Sequence, residues 1–193
     1  MSFTINPATP IDGEAVLPLV DAKAHLRVLD DDEDALIEAL RTAAIDWIER
    51  HCGVALGRRS FVLSHSDGGF WGAAPLRLPI GPVISVEGVG YLDSAGTVQA
   101  LVAVTDWRLA SNALVPVAGG IWPATLCGPG AITVSFTAGY ADALAEAPAL
   151  VAAVKMLLGH LYKFREAVIS GVSISEVPFG VTALCAAYRG QVL

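Results

Sequence analysis

The chain has 193 residues, of which 54% are hydrophobic and 16% charged, and a formal net charge of −7. The length fits one domain, or one domain with a sizeable insertion. The charged share lies well below the roughly 25% of ordinary soluble proteins, so such a chain buries much of its surface or shares it with partners. An acidic balance excludes the clustered Lys and Arg with which proteins displace counterions from DNA or RNA. No apolar run is long enough to cross a membrane, and the opening residues lack the basic and apolar blocks of a secretory signal. Cys52, Cys127 and Cys185 are odd in number and far apart, which fits reduced thiols better than a disulfide framework.

Residues 1–18 carry Pro7, Pro10 and Pro18 without periodicity and read as an extended arm, either laid on a neighbouring subunit or loose. Val20–Val28 is expected as a short helix, with Asp21 near its start and Arg27 at its end matching the helix dipole. Asp30–Cys52 is the organising helix. Leu36, Ile37, Leu40, Ala44, Trp47, Ile48 and His51 recur at steps of three and four and line one face. The carboxylates of Asp30–Asp34 are expected to cap its start, and Gly53 to end it in a left-handed conformation. Glu38 with Arg41, and Asp46 with Arg50, can pair across one turn of the outer face. Ile45 interrupts that charged face between Arg41 and Glu49. It reads either as an isolated exposed apolar side chain or as a subunit contact.

From Arg58 to Tyr140 the period changes. Ser60–Ser66, Pro82–Leu92, Thr97–Val102, Trp107–Leu109 and Ala131–Thr137 alternate or run in β-branched residues, separated by turn clusters such as Asp93–Gly96. Pro79 and Pro82 flank Gly81 in what should be a tight turn. Helix returns at Pro148, with Leu150, Val154, Leu157, Leu161, Phe164 and Val168 on one stripe, and a last short helix is expected from Phe179 to Tyr188. The expected fold class is α+β: a helical bundle of two N-terminal and two C-terminal helices with an inserted antiparallel sheet, sandwich or barrel. Its parts are an arm over 1–18, a helical core over 19–57 and 146–193, and a β-rich insertion over 58–145.

The motifs of common chemistry are missing. Counted from Asp30, a calcium loop would need Gly where Ala35 stands and Glu where Arg41 stands. His25, His51, His65 and His160 sit in unrelated contexts, and no nucleophile elbow, Walker loop or dinucleotide fingerprint occurs. No catalytic, cofactor or metal site is assigned. Three stretches read instead as contact surfaces. Arg165 falls on the apolar side of the helix that ends near Glu166, placed to fork onto a carboxylate within the chain or on a neighbour. Pro178 and Phe179 form a rigid turn that either plugs the core or docks on a partner. Tyr188 and Arg189 are residue types enriched at interface hot spots.

The order of these segments resembles the head–tail connector (adaptor) family of long-tailed phages and gene transfer agents. The resemblance is carried by Asp21–Val28 followed by Asp30–Leu36, by Leu78–Val83, and by Tyr91-Leu92-Asp93 with Gly96. Thr137–Tyr140 before Pro148, Tyr162 with Arg165-Glu166, and Val177–Gly180 through Tyr188-Arg189 complete it. It implies a non-enzymatic ring, usually of twelve copies, seated under the portal in the neck of the particle. Such a ring extends the DNA channel without binding DNA specifically and offers a platform to the next tail-joining (stopper or neck) protein. Carried over to this sequence, Pro178, Phe179, Tyr188 and Arg189 become candidates for portal contact, and Arg27, Arg165 and Glu166 for subunit contact. Only three residues follow Gly190, so a long gripping tail cannot come from there. Two other readings stay open: an enzyme using His160 and Glu166 near Asp142, and a binding module built on the β insertion.

Overall fold

The computed structural model describes residues 3–65, 74–164 and 178–189. They form two compact units, one drawn from residues 3–10 and 58–139, the other from 11–57 and 140–189.

The first unit is all β. Its strands are β1 (Phe3–Pro7), β2 (Arg59–His65), β3 (Leu76–Arg77), β4 (Val83–Leu92), β5 (Val98–Leu101), β6 (Trp107–Ala110), β7 (Ala113–Pro116) and β8 (Ile132–Ala138). Five make an antiparallel sheet in the order β1-β2-β8-β4-β5, and three make a smaller one in the order β3-β7-β6. Strict alternation explains the larger sheet: Phe61, Leu63 and His65 of β2 and Ile132, Val134 and Phe136 of β8 are buried, while Ser64 and Thr133 turn outward. Phe61 and Phe136 stack at 5.5 Å. Two register shifts bend β4 against β8. Asp93 closes the β4–β5 hairpin by accepting from Ala95 N and Thr97 N, with Gly96 at φ +79° where a side chain would be strained. The turn expected around Gly81 is present. Asn112 accepts from Val83 N through its side chain and from Leu78 N through its carbonyl, tying the small sheet to the start of β4.

The second unit is helical: α1 (Gly13–Val16), α2 (Leu19–Leu26), α3 (Asp34–Cys52), α4 (Ala143–Glu146), α5 (Pro148–Lys163) and α6 (Phe179–Cys185). Ile37, Ala44, Ile45 and Ile48 of α3 meet Leu150, Val154, Leu157 and Leu158 of α5, with Val181 and Cys185 of α6 sealed against them. Gly159 brings α5 close to His25 of α2, since a Cβ there would lie 3.5 Å from the imidazole Nε2.

Four expectations are corrected. Residues 1–18 are not an extended arm: 3–7 form an edge strand on β2, and 13–16 form a helix capped by Asp12, which accepts from Glu14 N and Ala15 N. Ile45 is completely buried and cannot be a subunit contact. Its charged neighbours Arg41 and Glu49 are buried too, because each finds partners inside. Arg41 donates to Glu14 Oε1 at 2.6 Å and to Leu17 O at 2.8 Å, and Glu49 accepts from Leu56 N at 2.7 Å. Arg41 therefore does not pair with Glu38, although Arg50 does pair with Asp46 at 2.8 Å. The acid block is not a side-chain cap: Glu33 at the N-cap makes no capping bond and accepts from the Tyr162 hydroxyl, while Asp31 and Asp34 both reach Lys23 at 2.6 Å. The stripe expected to run on to Val168 reaches only Lys163 in α5; Arg165, Glu166 and Val168 lie outside the described residues.

The buried polar contacts set a test by urea denaturation. Ile45→Ala should cost about 2–4 kcal/mol through loss of buried methylenes and a residual cavity. Arg41→Ala should cost about 2–3 kcal/mol by stranding a buried carbonyl. Arg50→Ala, on an exposed pair, should stay within about 0.5 kcal/mol.

Candidate assembly surface

In the helical unit, the segment that opens with Pro178 is short and amphipathic. Val181 and Cys185, four apart, are buried and Leu184 is half-buried beside them, which leaves Phe179 and Ala183 exposed. Its first turn rests on α5: a Cβ on Gly180 would lie 2.7 Å from Met156 Cε, the far end of a flexible side chain that would have to swing aside. Phe179 then projects off the bundle at 87% exposure, beside a Met156 that is itself exposed. Of the two readings of this turn, plugging the core is excluded for Phe179. An unpartnered aromatic next to an adaptable thioether has the composition of a contact surface.

At the other end of α6 the chain turns back toward the C-terminus of α3. The Cys52 thiol contacts the Cys185 carbonyl at 4.0 Å, and Tyr188 packs half-buried against the core. The thiol–thiol hydrogen bond with Cys185, followed by burial, pushes the Cys52 pKa far up, so this sulfur stays protonated and inert. Trp47 and His51 stack at 4.6 Å and 13°. Burial, and then the nearby positive charge of Arg189, lowers the His51 pKa below its ordinary 6.5, so the ring is neutral at pH 7. Arg189 itself is exposed. The two sequence-named pairs thus flank one helix of seven residues, roughly 10 Å long.

The remaining sequence candidates fall elsewhere. Arg27 is the exposed left-handed cap of α2 at φ +62°, unusual for a residue with a side chain. Asp142 caps α4 through Ala145 N, and His160 lies tilted against Phe164 at 5.0 Å. Glu166 lies outside the described residues, so the enzyme reading gains no assembled site. Sequence reasoning missed the most exposed apolar side chain, Leu29 at 97%, on the loop between α2 and α3. Its position between Val28 and a run of carboxylates was the one available signal, an apolar residue where a loop needs none.

Charge is distributed unevenly. The segments of the helical unit carry fifteen Asp and Glu against eight Lys and Arg; those of the sheet unit carry four of each. The whole net charge of −7 therefore belongs to the helical unit. On the sheet unit a concavity of about 440 Å³ lies over β4, β5 and β8, lined by residues such as Gly88, Tyr91, Val98, Ala100 and Thr133, with no acid or base among its lining. Among the described residues no three His, Cys, Asp or Glu side chains group as metal ligands, and no helix is long and apolar enough to cross a membrane.

Comparison with known proteins agrees in kind. Residues 18–84 match the model of the phage gp6-like head-tail connector protein family. No curated protein sequence matches the chain. Among solved structures, the chain is similar to a subunit in the neck of an empty gene transfer agent particle computed with sixfold symmetry. The identity there is 30% over 96% of this chain and 95% of that one, with a TM-score of 0.76. It is equally similar to a subunit in the virion of a native gene transfer agent particle, at 31% identity, the same coverages and a TM-score of 0.76. A subunit in the neck of the native particle computed with twelvefold symmetry gives 29% identity over 96% and 94%, with a TM-score of 0.73.

Two measurements check this surface. Phe179→Ala should leave the denaturation midpoint essentially unchanged, within about 0.5 kcal/mol, because little is buried there. An NMR titration should place the His51 pKa below 6.5 and move it upward in Arg189→Ala, since removing the cation removes one of the two causes. A depressed folded pKa means that the His51 contribution to stability is complete above pH 6.5 and falls away as the pH drops through the folded value.

Proposed function

The chain belongs to the phage head–tail connector family, and from that premise we propose that it is a structural ring subunit in the neck of a phage or gene-transfer-agent particle. The observation that carries the reading is the match, at 30–31% identity over 96% of the chain, to subunits of a gene transfer agent neck and virion. The surface supports it. An exposed aromatic turn and a sheet unit of zero net charge suit a protein working by contact, and among the described residues no three His, Cys, Asp or Glu side chains group as a metal site.

In this reading twelve copies surround a channel continuous with the portal, as the twelvefold symmetry computed for the related neck favours. Pro178, Phe179, Tyr188 and Arg189 meet the portal from the two ends of α6, and Arg27, Arg165 and Glu166 serve contacts between copies. The next tail-joining protein sits on the opposite side of the ring. No reaction is catalysed. With all of the net negative charge on the helical unit, a ring built from it repels phosphate, so DNA passes without being held.

Imaging the neck of purified particles and tracing this chain tests the reading directly; a complete neck that lacks it overturns the proposal. Within that particle, Phe179→Ala and Arg165→Ala test the contacts. Each variant should be soluble and folded by circular dichroism, and at least one should reduce joined particles by about tenfold or more, as loss of one hot-spot side chain does. Full yield of joined particles from both would remove these residues from the contact surface.

A further inference from the structure

Among the described residues the five-stranded sheet has two open edges, β1 and β5, and neither carries a charged residue or an internal bulge. Proteins that stay monomeric usually protect such edges, because unpaired N–H and C=O groups invite another strand. Here the β5 edge also presents Val98 at 75% exposure and the β1 edge presents Phe3 at 50%.

The two edges match in direction, phase and facing. Direction follows from the strand order: four successive antiparallel pairings leave β1 and β5 pointing the same way. Phase follows from the bonds at the ends of the ladders. Ala8 N–H donates to Ser60 O at 2.8 Å, so Thr4 and Asn6 turn their main-chain groups to β2, and Phe3 and Ile5 turn theirs outward. Asp93 N–H donates to Thr97 O at 3.0 Å, so Gln99 faces β4, and Val98 and Ala100 face outward. Each edge thus offers two open residues, two apart. Each is also closed beyond them: Pro7 has no N–H, and Val102 is held by Asp106, which accepts from its N–H at 2.7 Å and donates to its carbonyl at 2.9 Å.

We infer that β1 of one copy pairs in parallel with β5 of the next, with Ile5 opposite Gln99, so that the sheet continues from subunit to subunit. In that register Ile5 N–H donates to Val98 O, Ala100 N–H to Ile5 O, and Val98 N–H to Phe3 O, which uses the open groups up to Pro7. Facing agrees as well. Ile5 stands in the cross-strand row of Leu63, Val134 and Val89, and Gln99 in the row of Ile132 and Tyr91, both on the buried side, so the pairing keeps the alternation of the sheet intact. The occupant is a second copy because the partner strand each edge needs is the other edge of the same sheet, the head-to-tail arrangement that closes rings. The inference rests on the ring reading above and adds to it which elements join.

Disulfide trapping tests it in assembled particles. In a Cys127→Ser background, Ile5→Cys with Gln99→Cys should give a ladder of cross-linked multimers on a non-reducing gel, and either cysteine alone should give none. Ala100→Pro removes one outward N–H at an edge position where proline is tolerated in the monomer. It should lower the yield of rings by about tenfold for each interface weakened by one hydrogen bond of ordinary net strength, with the folded subunit retained by circular dichroism. Rings that form at full yield with Ala100→Pro, or a double-cysteine particle with no ladder, overturn the edge pairing and leave the connector reading standing. Particles whose neck contains no ring of this chain overturn both.

Discussion

The buried guanidinium of Arg41 is the constraint from which the helical unit follows. A charge held inside must be paired and hydrogen-bonded, or its desolvation costs several kcal/mol. Here Glu14 supplies the opposite charge, Leu17 supplies a carbonyl, and Gly13 supplies space, since a Cβ on Gly13 would lie 2.8 Å from Arg41 Nε. Three neighbours of α1 are thereby fixed against α3 at once. The rotation of α3 follows, because pointing Arg41 inward also points Ile45 and Glu49 inward, four and eight residues on. Glu49 is in turn satisfied by Leu56 N, which folds the chain beyond Gly53 back onto the helix. What remains outside, from Leu29 to Phe179, is what the assembly has to work with.

This rotation also explains which parts of the chain were legible. The strands β2 and β8 could be read because their alternation is long and each has one buried face, and β4 because it runs in β-branched residues between turn clusters. α5 could be read because apolar residues dominate its stripe, and the αL stop at Gly53 because glycine suits that conformation. The β1 strand could not be read: five residues with one proline carry too little pattern, and the partner strand lies more than fifty residues away. β3 and β7, of two and four residues, carry too little pattern in the same way. The misreading of Ile45 has a different cause. Charge usually marks the surface, but in α3 both flanking charges are buried: Arg41 reaches the exposed Glu14 and the buried Leu17 carbonyl, and Glu49 accepts from Leu56 N. Lys23 misled in the same way from the other side, since its two carboxylate contacts turned an expected helix cap into a bond between α2 and α3.

The contact residues were partly legible for a physical reason that differs from the fold. A core is specified by period, which one chain displays by itself. An interface is specified by a partner whose sequence is not on the page, so only residue type and rigidity remain as signals. Pro178-Phe179 and Tyr188-Arg189 were visible by those signals. Exposure of Phe179 follows only once Val181 and Cys185 have claimed the buried side of α6.

The two units divide the electrostatics in a way that suits a passive ring. The helical unit carries the entire net charge, and the sheet unit is neutral, with uncharged edges and exposed β-branched residues. Like charges repeated around an axis repel one another, so attraction between copies is best placed on the neutral unit, where main-chain hydrogen bonds and apolar contact are not opposed by that repulsion. Each such contact can then be weak. When contacts recur around a closed ring, each copy is held from both sides and every further bond is intramolecular.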